Sequence, residues 1–436
     1  MKAAAIPQLG RRESRRKGHV RLSTESRRPA WRSATLWSLA AISAGSLLAY
    51  YCFWLARLPQ MDFLVYRMAG GHVVGGGLYS SHITALGRSL VFIYPPVSAL
   101  FFWPFSLVAP HVAQIIWDIV DVGALTALMA VSLAAARSRP VNRSDWRTAL
   151  ILLAPVGFLL WPVRYDLNLG QINLLLVLMI VTDLTVVWTA RVPSLPRGVL
   201  VGAAGAVKLT PLIFVPYLIA SRQWKAARNA ILTFAAVTGA MFVVAPRSSW
   251  LYFTKYMTDT ARAGNEQGLS NQTLITALHR AHLHMASVVD LIALAVLCAG
   301  IALAAAAYRR SSPLLGLLVC AATGLLISPV SEIHHYVWIV PGLIWLAVGT
   351  DRPPRGEWWA LAGSLAYMVI PPFTSGGSGA IWYVRDNAYV MATLVFLGLV
   401  AVLLWRRGRS FRGDTAEARS PDQQLVQTRR GQPVTG

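Results

Sequence analysis

The chain has 436 residues, 55% of them hydrophobic and only 13% charged, against about 25% charged in globular chains. That composition excludes an ordinary soluble protein and points to one polytopic membrane domain. The net charge of +22 would suit a nucleic-acid binder, but ten Lys/Arg fall in residues 1–32 and seven in 406–436, with no nucleic-acid motif beside them.

Residues 1–34 and 406–436 read as basic, disordered cytoplasmic tails that touch anionic lipid, around a polytopic domain at 35–405. The apolar run from Thr35 to Leu55 is too long for a signal-peptide core and no small-residue cleavage site follows it. It is expected to stay as a signal anchor that leads outward. The following loop, 56–95, then lies on the non-cytoplasmic side. Asp62 is its only acidic residue, set between Met61 and Phe63, where an apolar setting raises a carboxyl pKa. A helix here puts Asp62, Tyr66 and Ala69 on one face, and glycines at 70, 71 and 75–77 end it. A capped interfacial helix would explain the same residues without chemistry.

After Tyr94-Pro95-Pro96, about 14 residues separate Pro96 from Pro110, too few to cross comfortably. A full crossing would also put Arg137, Arg139, Arg143 and Arg147 outside, against the positive-inside rule. Residues 96–108 are therefore expected to form a half-helix that dips in and out. Run 111–136 carries Asp118 and Asp121 on one face with no assigned role. Run 148–162 exits to Arg164–Asn173, and 174–190 returns with Asp183 read as half of a structural pair. Residues 198–220 have basic flanks and a break at Lys208-Leu-Thr-Pro211, the pattern of a hairpin whose tip lines a cavity in the membrane.

Run 229–245 leads out to a second large loop, 246–286, containing Asn271-Gln272-Thr273. Runs 287–307 and 313–327 are joined inside by Arg309-Arg310, and Ser328–His335 emerges outside. Run 336–349, an inner loop at 351–357 and spans near 358–373 and 387–405 complete the chain. The expected architecture is all-α, with about ten full spans, two broken or re-entrant elements and both termini cytoplasmic in the plasma membrane. The polar motifs around Asp62, Tyr94, Asn168–Asn173, Asn271 and Ser328–His335 played no part in setting that orientation, yet all five are expected on the outer side.

Lys208 costs about 2.5–3.5 kcal/mol at mid-membrane, which makes it a candidate site residue, with snorkelling as the alternative. A buried cation beside a helix break suits a phosphate. His334 and His335 point to different sides of a helix and make a poor chelate, so one is expected to pack and the other to shuttle a proton or donate a hydrogen bond. Asn168, Gln171 and Asn173 offer amides to hydroxyls, or to neighbouring helices. Cys52, Cys298 and Cys320 lie in apolar runs without metal-ligand spacing, and neither a metal nor a cofactor is expected. Neither a Walker-type loop nor an Asp-x-Asp pair is present, so a lipid-linked sugar phosphate replaces a nucleotide donor in this reading.

Six motifs recur in order: Asp62-Phe-x-Val-Tyr-Arg, Tyr94-Pro-Pro, Asn168-x-Gly-Gln-Ile-Asn, Val207-Lys-Leu-Thr-Pro211, Asn271-Gln-Thr and Ser328-Pro-x-Ser-x-x-His-His-x-Val-Trp338. Over about residues 35–405 the chain resembles the actinobacterial polyprenyl-phosphomannose-dependent α-(1→2)-mannosyltransferases, glycosyltransferase family 87 in the GT-C superfamily. It departs from the resemblance at Glu332, where the family often has Trp, and at Asn168-Leu, where it often has Asp-Tyr. The resemblance implies a GT-C fold and transfer of mannose, with inversion, from polyprenyl phosphomannose to a mannosylated lipid or lipoglycan. In that scheme Asp62 is the general base, with His334 or His335 assisting it. Lys208, with Arg164 or Arg67, faces the leaving phosphate. Asn168, Gln171, Asn173, Asn271 and Gln272 hold hydroxyls, Tyr66 or Tyr94 stacks on a sugar, and Glu332 adds a charge. The rivals are a sister enzyme using another lipid-linked sugar such as arabinofuranose, and a lipid or solute transporter. A transporter would show a midplane site and paired halves, and no internal repeat is visible.

Overall fold

The computed structural model describes residues 30–54, 60–75, 77–85, 88–185, 195–259, 262, 268–366 and 379–417. The tails at 1–29 and 418–436, Arg191 and Gly76 lie outside the described residues. Helix α1 (Ala30–Ala49) ends in a π-helical turn, Tyr50–Trp54, and α2 (Met61–Gly71) follows. A small antiparallel hairpin, β1 (His82–Ala85) and β2 (Arg88–Val91), pairs His82 with Val91 and departs from the all-α expectation. Then come α3 (Pro96–Ser106), α4 (Pro110–Ala136) and α5 (Arg143–Leu159), which a bend of 84° joins to α6 (Trp161–Leu169). Helix α7 (Asn173–Thr185) precedes α8 (Val199–Val207), a 3-10 turn at Thr210–Ile213 and α9 (Phe214–Ala220). The chain continues through α10 (Trp224–Val244), α11 (Pro246–Leu251), a π-helical turn Tyr252–Tyr256, α12 (Leu274–Arg280), α13 (Ala286–Arg310) and α14 (Pro313–Ile327). A 3-10 segment, Ile333–Trp338, leads into α15 (Ile339–Val348), and α16 (Arg355–Ala366), α17 (Ala380–Asp386) and α18 (Ala388–Glu417) close the fold. The last helix runs past residue 405, where the basic tail was expected to begin.

Proline sets many of these starts. Pro96, Pro110, Pro162, Pro246 and Pro313 each occupy the first or second helical position, where the missing N–H costs nothing. Helix α3 has 11 residues, a rise of about 16 Å, roughly half the hydrocarbon thickness. Among the described residues four helices are long and apolar enough to cross a membrane: α4, α10, α13 and the first part of α18. The bent pair α5–α6 makes a fifth, and five shorter apolar helices accompany them. Length alone therefore carries four or five spans, short of the ten expected.

Two ends of the molecule are distinct. At one, the Thr350 amide donates to the Ala136 carbonyl, Arg309 to Ala220, and Arg407 to Ser311 and Asp351. These are the loops that the positive-inside rule placed in the cytoplasm. At the other end α6 packs on the Ile333–Trp338 segment and α2 on α3. Gly70 allows that second contact, since a Cβ there would stand 2.7 Å from the Phe102 carbonyl oxygen. Beneath α2, Phe63 stacks on Trp117 at 5.8 Å and Tyr66 on Phe102 at 4.6 Å, an aromatic floor that fixes the helix.

Candidate active site

Asp62 lies in the first turn of α2. Gln171 follows Gly170, which ends α6 in the left-handed conformation (φ 67°) and turns the chain sharply. The Gln171 amide nitrogen donates to Asp62 Oδ2 at 2.5 Å, and the Tyr66 hydroxyl donates to Gln171 Oε1 at 2.6 Å. Burial, opposed by the Gln171 hydrogen bond and the Lys208 charge, pushes the Asp62 carboxyl up to about 6.

Lys208 caps α8 with extended backbone, which throws its side chain out of the helical course. It is buried, and its Nζ donates to Asn173 Oδ1 at 2.8 Å and meets His335 Nε2 at 2.9 Å. A lysine ammonium only donates, so Nε2 accepts and the His335 ring proton sits on Nδ1. The ammonium also lies 5.3 Å from the centre of the Tyr94 ring, a cation–π distance. Asp166, Asp62 and Glu332 are the carboxylates that its charge senses. Asp166 was missed from the sequence although Arg164-Tyr-Asp166 displayed it. Fully buried, it accepts from Asn173 Nδ2 at 2.8 Å and so turns the Asn173 oxygen toward Lys208.

A cavity of about 380 Å³ opens beside this cation. Asn173, Ser328, Ser331 and His335 line it, together with Leu176, Ile180, Phe214, Ala321, Leu325 and Trp338. Asn173 starts α7 and Ile180 lies two turns deeper; Ser328 follows α14 and Ala321 lies two turns back. The polar groups thus gather at one end of the cavity and the apolar ones along its interior.

Several residues expected in the site already have partners within the fold. Tyr66 is buried, and its ring stacks on Phe102. Arg67 donates to the carbonyls of Phe105 (3.1 Å) and Val108 (2.8 Å), capping the C-terminal end of α3. Arg164 is exposed and lies over the Trp161 indole at 5.7 Å. Asn168 accepts from the Tyr51 hydroxyl at 3.3 Å. Asn271 and Gln272 are fully buried and bonded within the protein. Asn271 Oδ1 accepts from the Ser331 amide at 2.9 Å, and Gln272 Nε2 donates to the Asp386 carbonyl at 2.7 Å, tying the Ser328–Glu332 loop to the last helices. Glu332 bridges backbone-to-backbone with Asn271 and holds a carboxylate oxygen 3.5 Å from His334 Nδ1. His334 packs inward against Tyr165, and His335 lines the cavity. Among the described residues neither imidazole is hydrogen-bonded to Asp62, so an assisting histidine is not seen. Among the described residues no group of His, Cys, Asp or Glu is arranged to hold a metal.

Apolar helices of membrane-crossing length, an acid, a buried cation and an amphipathic cavity suit the class of enzymes that handle lipid-linked substrates. The profile of glycosyltransferase family 87 matches residues 92–329, and the chain belongs to that family. A Mycobacterium tuberculosis (strain CDC 1551) protein named polyprenol-phosphate-mannose-dependent alpha-(1-2)-phosphatidylinositol pentamannoside mannosyltransferase is 33% identical, over 72% of this chain and 73% of its own. A Mycolicibacterium smegmatis polyprenol-phosphate-mannose-dependent alpha-(1-2)-phosphatidylinositol mannoside mannosyltransferase is 31% identical over 92% of this chain and 95% of its own. No solved structure matches the chain.

Proposed function

We propose that the chain is an inverting mannosyltransferase of the outer plasma-membrane face. It moves mannose from polyprenyl phosphomannose to a mannosylated phosphatidylinositol-type lipid and forms an α-(1→2) linkage. The observation that carries this is Lys208, a buried cation over the Tyr94 ring whose partners Asn173 and His335 line the cavity. The donor's phosphate takes Lys208, its prenyl chain takes the cavity, and its mannose lies toward Asp62. The acceptor hydroxyl gives its proton to Asp62 while its oxygen bonds to the anomeric carbon. The carbon–oxygen bond to phosphate breaks on the opposite face, and the leaving electron pair stays on a phosphate already anionic, so cationic support replaces a general acid.

The names of the relatives support the donor and acceptor classes. The separation of arginine-rich loops from the Asp62–Lys208 end supports the outward orientation. We take the shorter apolar helices other than Thr210–Ala220 as further spans of a roughly ten-span GT-C bundle over 35–405, with α3 and the α8–α9 break as its two partial elements. The experiment is to fill the cavity. Ile180→Trp should raise KM for long-chain polyprenyl phosphomannose about tenfold and leave a two-isoprene donor within twofold. Equal effects on both donors would remove the prenyl chain from this cavity.

A further inference from the structure

The hydrogens around Asp62 admit one arrangement. An ionised carboxylate accepts and cannot donate, so the Gln171 atom 2.5 Å from Oδ2 is the amide nitrogen. The other atom of that amide is then a carbonyl oxygen, and the Tyr66 hydroxyl 2.6 Å away must donate to it. A phenol has one hydrogen, which leaves the 3.3 Å contact between the Tyr66 and Tyr94 hydroxyls for Tyr94 to donate. The parts are held rigidly. Tyr66 is clamped on Phe102, and Gln171 leaves a left-handed Gly170 whose carbonyl accepts from the Trp117 indole at 3.0 Å. A Cβ on Gly170 would stand 2.7 Å from the Phe63 Cβ, so the turn and α2 are locked together. Among the described residues Gln171 is the side chain that donates to Asp62.

We propose that Tyr66 and Gln171 are positioning residues that keep Asp62 Oδ2 a permanent acceptor and leave Oδ1 as the oxygen that receives the acceptor's proton. This rests on Asp62 being the general base. Protonation of Oδ2 would require the Gln171 amide to flip, turning its NH₂ against the Tyr66 hydroxyl. That hydroxyl would then have to swing toward Tyr94, and the Tyr94 hydroxyl to turn its own hydrogen away. The Tyr94–Tyr66–Gln171 chain therefore fixes which carboxylate oxygen works and aims it away from the protein donor. In the step itself the acceptor O–H breaks and its proton goes to Oδ1. The oxygen's electron pair forms the bond to the anomeric carbon, and the pair of the broken carbon–oxygen bond leaves on the phosphate.

The test compares wild type, Tyr66→Phe and Gln171→Leu as full-length chains in membranes, with polyprenyl phosphomannose and a mannosylated lipid acceptor. Each is assayed for kcat, donor KM and the acid limb of the pH profile. The Gln171 N–H favours the ionised carboxylate, so losing or loosening it moves the acid limb to higher pH. Tyr66→Phe should lower kcat about tenfold, keep donor KM within twofold and raise the limb by about half a pH unit. Gln171→Leu should do the same more strongly, and Tyr66→Phe carries the test alone if Gln171→Leu does not accumulate. An acid limb unmoved in Tyr66→Phe, whatever happens to kcat, overturns the proposal and leaves the two residues structural. Asp62→Asn separates the two ideas. Retained transfer in that variant removes the base itself, whereas its loss beside unmoved limbs removes only the positioning.

Discussion

Lys208 and Asp62 stand out in the sequence because a charge in an apolar chain needs a reason, and the structure gives each a partner set. The Asp62 pKa of about 6 sets the sign of the pH response. A base must be ionised, so transfer should fall as pH drops through about 6 and level off above it. A rate independent of pH between 5 and 7 would contradict the assignment. Lys208→Met should reduce kcat about 100-fold, because the cation faces charge that grows in the transition state. Roles of the amides and of Arg67 were far less legible. Asn271, Gln272 and Arg67 carry the groups that bind sugars or phosphates, but the same groups satisfy backbone carbonyls, and only the fold decides which partner arrives. Asn271→Leu should therefore lower thermal stability by about 1–3 kcal/mol through the unpaired Ser331 amide. Donor KM, measured on the folded fraction, should stay within twofold.

Among the elements, the breaks were easier to foresee than the contacts. Proline and basic flanks marked the half-length α3 and the interrupted α8–α9 segment, since a proline start and a short apolar run are local properties. The β1–β2 hairpin was not foreseen; its strands are four residues each and lie in a glycine-rich loop. Asp183 was read as half of a side-chain pair, and its partners are backbone instead. Its carboxylate accepts from the Gly198 amide at 2.9 Å and the Val201 amide at 2.9 Å, sealing the N-terminus of α8 from the neighbouring α7. Asp183→Ala should cost about 1–2 kcal/mol, read as a lower unfolding temperature in detergent. An unchanged unfolding temperature would show that the cap contributes nothing.

At the scale of the whole molecule, two kinds of signal agreed without sharing residues. Arginine counts placed loops such as 137–147 in the cytoplasm, and the structure gathers these loops at one end. Asp145 there is fully buried between Arg139 (2.6 Å) and Arg137 (3.2 Å). The six motifs gather toward the other end, around Tyr94 and Lys208. The span count was less accessible, because short apolar helices that pack inside a bundle look the same in sequence as ones that cross a bilayer.

The most direct measurement follows radiolabel from polyprenyl phosphomannose to a mannosylated phosphatidylinositol acceptor in membranes holding equal amounts of wild type or Asp62→Asn. The account predicts transfer by wild type and a loss of at least about 100-fold in the variant. Transfer surviving in Asp62→Asn, or absent from wild type with every mannosylated acceptor, would contradict it.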